Sequence, residues 1–201
     1  QIIAKMFSLE TLGFYSIAYN IAAVLGGLPS LVTSAMYPSL SADFGSKALE
    51  SFNYRYIRGS QMIMILVSLP TFGLIFFGHD FLRLWISGVA ADRASAIVAL
   101  LAGGFMLNAL ITMSFISALA AGRPGYSNWI NFAAIWFYIP AVVYCTRTWG
   151  GVGAASVWVG LNAFYTISLL PLVHTTILKR SAIAWLVKDV GPIMVVAALL
   201  V

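Results

Sequence analysis

Four asparagines lie inside long apolar stretches of the sequence, where an amide side chain could bind a polar ligand. An amide without a hydrogen-bond partner in such surroundings costs about 2–7 kcal/mol, so each must face another helix or a water-filled gap. Hydrogen bonds between helices are one interpretation, and lining of a hydrated cavity is the other. All four are candidates for cavity lining, and Asn20, which lies on the least hydrophobic stretch, is the best candidate. The four are Asn20, Asn108, Asn131 and Asn162.

No pattern of side chains indicates catalysis. The sequence lacks HExxH, GxSxG, CxxC and Walker motifs, and it has no pair of acids on one predicted helix face. The single Cys145 lies in an apolar run and is predicted to be a small buried hydrophobe. We therefore expect no enzyme activity, no metal and no cofactor. His79 and His174 lie near the ends of apolar stretches, where each is expected to be solvated or at headgroup level.

The composition requires an apolar solvent. Hydrophobic residues make up 61% of the 201 residues and charged residues only 8%, whereas soluble domains carry about 25% charged residues. Lipid removes the need for a polar surface, so we predict a multi-pass protein that partners the bilayer. The net charge of +5 comes from dispersed Lys and Arg rather than a basic patch, so nucleic acid is not expected as a partner.

The apolar stretches are long enough for membrane-spanning helices, which need about 20 residues each. They are too continuously apolar for the alternating strands of a barrel, and the predicted fold class is an all-α transmembrane bundle. Residues 1–201 are read as a single bundle, an internal piece of a longer two-bundle protein, since the chain starts without Met and stops in an apolar run. Complete spans are predicted at 13–36, 59–78, 94–120, 128–146 and 152–178, with partial spans at 1–8 and from 190.

Small residues and prolines mark the predicted spans. Ala18, Ala22 and Gly26 recur every four residues and should form a flat face for another helix. Proline removes a backbone hydrogen bond and tends to kink a helix, which suits a bundle that encloses a cavity or bends. The prolines concerned are Pro29, Pro70, Pro140 and Pro171.

The segments between spans differ in charge. Seven of the eleven Lys and Arg fall in 41–58, 122–127 and 179–189, so the positive-inside rule places these segments in the cytoplasm. We predict short interfacial helices at Asp80–Trp85 and Ser46–Arg58, with Asp80 paired to Arg83. No Asp, Glu, Lys or Arg lies in the middle of a complete span, which argues against a proton relay within this part of the chain.

Four short motifs, in this order, resemble the O-antigen type of polysaccharide flippase in the MOP exporter superfamily. Leu12–Asn20 (LGFYSIAYN) is similar to the LGxYxxA entry of a helix, and Leu28–Leu40 with Ser41 is similar to the P-x-L-S exit that follows it. Ala118–Pro124 (ALAAGRP) resembles the cytoplasmic A-x-GRP turn, and Gly150–Ala155 (GGVGAA) resembles a G-x-x-GAA helix start. The resemblance covers essentially the whole chain and matches the second half of such proteins.

The resemblance implies a fold and a function. It implies a MATE-like second bundle in the bacterial inner membrane, beside a central cavity open alternately to each side. The implied activity is flipping of polyprenyl-diphosphate-linked oligosaccharide, an O-antigen or other surface-polysaccharide unit such as that of lipopolysaccharide, from the cytoplasmic to the periplasmic leaflet. A coupling ion, H⁺ or Na⁺, would suit such a cycle. Since no cation lies mid-span, Arg58 and Arg123 are predicted to contact headgroups or the diphosphate at the cytoplasmic mouth, although positive-inside anchoring explains them too.

Three alternatives remain open at this point. A lipid II flippase or a multidrug antiporter of the same superfamily would change the cargo, and the antiporter would need an acid buried in a span. A membrane-embedded glycosyltransferase or polymerase would need large extramembrane loops, and the longest here is about 18 residues by the predicted spans. A membrane scaffold without transport activity is the third.

Overall fold

The computed structural model describes residues 9–86 and 88–201, and all regular structure in these two ranges is helical. Five helical stretches within them are long and apolar enough to cross a membrane: Thr11–Gly45, Leu49–Trp85, Ala90–Ala120, Gly125–Leu178 and Ala182–Leu199. The predicted all-α membrane bundle is thereby confirmed, while the predicted partial span at 1–8 lies outside the described residues. The elements are α1 (Leu9–Gly45), α2 (Leu49–Trp85), α3 (Gly88–Ala120), α4 (Gly125–Val173), a π-helical turn (His174–Leu178), α5 (Ala182–Trp185), a second π-helical turn (Leu186–Val190) and α6 (Gly191–Leu199).

Helix α4 consists of two arms that meet at Gly150. Its 49 residues would measure about 74 Å if straight, more than twice the hydrocarbon core of a bilayer. Gly150 has φ 59° and ψ −135°, a backbone conformation that interrupts the helix and that glycine adopts without a Cβ clash. The first arm (125–149) and the second arm (151–173) correspond to the two spans predicted from the sequence at 128–146 and 152–178.

The small-residue face of α1 packs as predicted. Ala18 and Ala22 are fully buried in a hydrophobic cluster that α1 shares with α3. At Gly26 the helices approach so closely that a Cβ atom would lie 2.8 Å from Cε1 of Phe105. In a bilayer, small side chains allow this approach and gain dispersion contacts that larger ones would block.

The two predicted interfacial helices do not exist as separate elements, and that prediction is wrong. Residues 49–58 are the first turns of α2 and residues 80–85 are its last turns. A helix of 37 residues is about 56 Å long and exceeds the hydrocarbon core, so its polar ends extend beyond the apolar layer without a break.

The three basic segments of the chain lie at the same end of the bundle. Nδ2 of Asn53 donates to the backbone oxygen of Leu178 at 3.3 Å, and Nε2 of Gln61 donates to that of Asp189 at 3.2 Å. Tyr126, at the start of α4, reaches the side chain of Thr176. We call this the basic end. That it faces the cytoplasm stays a prediction. Its cations are Lys47, Arg55, Arg58, Arg123, Lys179, Arg180 and Lys188.

Candidate functional site: a polar cavity between three helices

A cavity of about 380 Å³ lies between α1, α3 and both arms of α4. About half of its lining side chains are polar, which is uncommon inside a bundle whose exterior is apolar. Helix α2 contributes nothing to it. The lining residues are Gly26, Pro29, Ser30, Thr33, Asn108, Ile111, Thr112, Phe115, Ile116, Ser127, Ile130, Asn131, Tyr165 and Leu169.

The part of α1 that lines the cavity lacks one backbone hydrogen bond of the helix. Pro29 lies inside α1 and has no backbone N–H, so it cannot donate to the carbonyl of Leu25 one turn earlier. The hydroxyl of Ser30 donates to the backbone oxygen of Gly27 at 2.6 Å. Thr33 lies one turn further on and is buried at 8% exposure. Spacing of three to four residues therefore places Gly26, Ser30 and Thr33 on the same wall.

Two of the predicted asparagines bind each other. Nδ2 of Asn108 donates to Oδ1 of Asn162 at 2.9 Å, which joins α3 to the second arm of α4. Nδ2 of Asn162 in turn donates to the backbone oxygen of Trp158 at 2.9 Å. Asn162 is fully buried and holds Asn108, whereas Asn108 itself lines the cavity. This pair therefore combines both interpretations of the asparagines. Asn162 makes hydrogen bonds between and within helices, and Asn108 lines the cavity.

A third predicted asparagine faces the same cavity. Asn131, on the first arm of α4, is exposed and lines the cavity opposite α3. One turn earlier, the buried hydroxyl of Ser127 has no hydrogen-bond partner in the described protein. On α3 the hydroxyl of Thr112 donates to the backbone oxygen of Asn108 at 2.9 Å. The walls therefore offer amide and hydroxyl groups from three helices to one partly open cavity.

Asn20, the asparagine most favoured from the sequence, lies elsewhere. It is exposed on α1 and lines a groove of about 670 Å³ between α1 and α2. The rest of that groove is apolar or aromatic, with Phe77, Phe81 and Trp85 among its members. The structure therefore does not bring Asn20 together with Asn108, Asn131 and Asn162.

The cavity lining carries no formal charge among the described residues. Arg123 is the predicted cation nearest to it in sequence, and its Nη1 donates to the hydroxyl of Tyr126, next to Ser127, at 2.9 Å. Arg58 is exposed on α2, donates to Oε1 of Gln61 at 3.2 Å and lies 5.4 Å from the ring centre of Tyr54. Arg123 thus lies at the basic end, four residues before the lining residue Ser127, whereas Arg58 lies on a helix that does not line the cavity.

The sequence interpretation of His174 is wrong. Its side chain is only 1% exposed, because Tyr56 from α2 and Trp185 from α5 cover the ring. Nε2 of His174 lies 2.9 Å from the hydroxyl of Tyr56, and that hydroxyl lies 2.9 Å from Oγ of Ser114 on α3. The position of His174 near a span end did not predict this burial, since the covering groups belong to other helices.

The predicted pairing at the opposite end is also wrong in its partners. Arg83 binds Asp92 at the start of α3 rather than Asp80, with 3.1 Å between Nη2 and Oδ1. His79 lies between the two acids, 2.8 Å from Asp92 and 3.5 Å from Asp80. Its side chain is 42% exposed, as expected for a histidine at a span end. These contacts fasten the end of α2 to the start of α3.

Fold and cavity together define a multi-pass α-helical membrane protein with an uncharged polar cavity between its helices. Within the described ranges, no group of three or more His, Cys, Asp and Glu side chains could hold a metal ion. The lining instead offers hydrogen-bond donors and acceptors with two aromatic rings, a set that binds neutral polar ligands.

The chain is similar to a protein of Shigella flexneri named "Putative O-antigen transporter". The two are 26% identical over 159 residues, which are 78% of this chain and 37% of the relative. The chain therefore spans little more than a third of that relative's length. No family model and no solved structure matches the chain. The relative is named as a transporter and not as an enzyme, in agreement with the expectation that the chain has no enzyme activity.

Proposed function

We propose that this chain belongs to a transporter that moves polyprenyl-diphosphate-linked oligosaccharide from the cytoplasmic to the periplasmic leaflet of a bacterial inner membrane by alternating access. The observation that carries the proposal is the polar cavity of about 380 Å³ between helices that are apolar outside. Amides and hydroxyls at that place cost free energy unless water or a ligand satisfies them. A path for a polar cargo satisfies them during each cycle.

An oligosaccharide matches the chemistry of the walls. Sugar hydroxyls donate and accept hydrogen bonds, and so do the amides of Asn108 and Asn131 and the hydroxyls of Ser30, Thr33 and Thr112. A lining without formal charge suits the neutral part of such a cargo. In hydrocarbon each sugar hydroxyl would lose its hydration, and the cavity replaces that hydration with protein groups.

The diphosphate of the cargo requires cations, and most of those in the described ranges lie at the basic end. Arg123 is bound by Tyr126, which precedes the cavity-lining Ser127, and the exposed Lys179 lies near the same tyrosine. A guanidinium binds phosphate through paired, charge-assisted hydrogen bonds. We infer that Arg123 meets the diphosphate at the mouth, while Arg58 contacts lipid headgroups.

The relative from Shigella flexneri supports the choice of cargo by its name, and the order of the four sequence motifs agrees with it. The alternative cargoes are less well supported. A multidrug antiporter needs an acid available inside a span. Glu10, Asp43, Glu50, Asp80 and Asp92 lie toward helix ends, and Asp189, which lies within the stretch Ala182–Leu199, is paired with Arg180.

The test is deletion of the gene that encodes the complete protein, followed by analysis of lipid-linked oligosaccharide in each leaflet. We expect the oligosaccharide to accumulate on the cytoplasmic leaflet and surface polysaccharide to be lost, with both restored by the intact gene on a plasmid. Normal surface polysaccharide in a strain without any paralogue would contradict the proposal. Arrest of cell-wall synthesis with normal surface polysaccharide would indicate lipid II as the cargo instead.

A further inference from the structure

His174 joins four elements at the basic end. Its ring lies 5.3 Å from that of Tyr56 on α2 and 5.2 Å from that of Trp185 on α5, measured between ring centres. Through Tyr56 it continues to Ser114 on α3. His174 itself begins the π-helical turn after α4. A change at this one ring therefore affects α2, α3, α5 and the π-helical turn together.

The hydrogen bonds around the ring suit a neutral imidazole. Nε2 shares one hydrogen bond with the hydroxyl of Tyr56, while the buried Nδ1 has no partner in the described protein. A neutral ring can leave Nδ1 as a bare acceptor, which is the less costly arrangement. A protonated ring would carry an N–H at Nδ1 with nothing to receive it, together with a buried charge.

The charged groups around His174 also affect the difference in free energy between its neutral and protonated forms. Tyr56 from α2 is the titratable neighbour on one side, and Ser114 from α3 carries no charge. On the other side Arg180 follows the π-helical turn, and its backbone N–H donates to the backbone oxygen of His174 at 3.0 Å. Its guanidinium lies 3.5 Å from the carboxylate of Asp189 in the second π-helical turn. Arg180 therefore disfavours a positive ring, and the ion pair of Arg180 with Asp189 reduces that repulsion.

We propose that His174 is a proton-binding site, and that protonation of its ring opens the basic end of the bundle by releasing α5 and the second π-helical turn from α2. Opening lets water or the carboxylate of Asp189 reach the new N–H at Nδ1. Deprotonation restores the contacts of His174 with Tyr56 and Trp185 and closes the end again. No bond other than N–H forms or breaks, and the proton comes from and returns to water.

The inference goes beyond the proposed cargo. It revises the expectation of no proton relay, which considered Asp, Glu, Lys and Arg in span centres and placed His174 in solvent. It requires only that the basic end opens and closes. A protein with a different cargo would show the same response to acid, so failure of one proposal leaves the other standing.

The test uses thiol labelling of the full chain in detergent, with Cys145→Ala as the background. Ser117→Cys reports opening, because Ser117 is fully buried on α3 one turn beyond Ser114. Ser46→Cys, exposed at the same end, corrects for the effect of pH on the reagent. We expect maleimide labelling at position 117, relative to position 46, to rise about tenfold as acid shifts the population to the open form.

Two matched variants decide whether His174 is responsible. His174→Gln keeps a group that can bond to Tyr56 but cannot take up a proton, and it should abolish the acid response. His79→Gln, at the only other histidine in the sequence, should leave it intact. Ser68→Cys, equally buried in α2, should stay unlabelled and so exclude general unfolding. The proposal would be overturned if the acid response survives His174→Gln or is lost with His79→Gln. It would also be overturned if the reporter protein that keeps both histidines shows no acid response.

A second measurement leaves position 174 unchanged, in case His174→Gln fails to fold. Trp185 is 1% exposed and contacts the imidazole, so its fluorescence reports the state of the ring. Its emission is obtained as the difference between the Cys145→Ala protein and the same protein with Trp185→Phe. Acid should change that difference reversibly. A difference spectrum that does not respond to acid would contradict the proposal.

Discussion

Asn108 and Asn162 are joined by a hydrogen bond of 2.9 Å that crosses from α3 to the second arm of α4. The two residues are 54 positions apart in the sequence. Asn162 accepts this bond while its own amide group donates to the backbone of Trp158. The pair therefore holds one side of the polar cavity in place, and the cavity amide of Asn108 is oriented by a buried residue behind it.

Replacement of Asn162 by alanine should destabilise the protein. The change leaves the part-buried Nδ2 of Asn108 without its acceptor and removes a buried amide that binds two partners, and a buried hydrogen-bonding group left unpaired costs about 1–3 kcal/mol. The measurement is the free energy of unfolding in mixed micelles. Asn20→Ala serves as the control, since Asn20 is exposed and should shift that free energy by less than about 0.5 kcal/mol. Equal effects of the two variants would refute the structural role of the pair.

Two neighbouring glycines in α1 should respond differently to alanine. A Cβ at Gly26 would lie 2.8 Å from Cε1 of Phe105, whereas one at Gly27 would meet nothing within 4 Å. Overpacking costs about 1–3 kcal/mol, and the gain in helix propensity of about 1 kcal/mol is common to both. Gly27→Ala should therefore be neutral or stabilising and Gly26→Ala should be the less stable, as thermal unfolding would measure. The reverse order would mean that α1 and α3 do not approach at Gly26.

Asn131 should be needed for transport rather than for stability. It faces the cavity, while Asn128, one turn earlier on the same arm, is also exposed but lines no part of it. In the deletion strain, we expect Asn131→Leu to restore much less surface polysaccharide than Asn128→Leu, at equal protein levels. Full restoration by Asn131→Leu would show that the cargo does not depend on Asn131.

The orientation of the bundle can be checked with two cysteines in the Cys145→Ala background. Ser46 lies at the basic end and Thr148 at the opposite end, and both are exposed. Because positive charge favours the cytoplasmic side, an impermeant maleimide should label Thr148→Cys in intact cells and Ser46→Cys only after permeabilisation. Labelling in the opposite order would invert the predicted topology.

Local patterns in the sequence were sufficient to predict the membrane-spanning helices, but not that the polar ends of α2 continue the same helix. The runs of apolar residues, the small face with Ala18 and Ala22, and the turn at Gly122 and Arg123 each depend on neighbours a few positions away. In the turn, Gly122 has φ 68° and the N–H of Arg123 donates to the backbone oxygen of Ala118 at 2.9 Å. Such features follow from helix periodicity and from the backbone freedom of glycine.

The contacts that were missed join different helices. His174 is buried because Tyr56, from α2, and Trp185, from α5, pack over its ring. Arg83 binds Asp92 instead of Asp80 because the start of α3 packs beside the end of α2. Four-residue spacing in Asn108 and Thr112, and three-residue spacing in Ser30 and Thr33, were the local signals that could have located the cavity.

The most direct test of the account is whether water enters the gap between the helices. Asn131 and Phe132 lie at nearly the same depth on α4 and both are exposed, but only Asn131 faces the cavity. Each is replaced by cysteine in the Cys145→Ala protein, and reaction with a small charged thiol reagent is timed in membranes. Since the reagent requires water, we expect Asn131→Cys to react at least about tenfold faster than Phe132→Cys. Equal, slow reaction at both positions would show a dry gap and contradict the transport function.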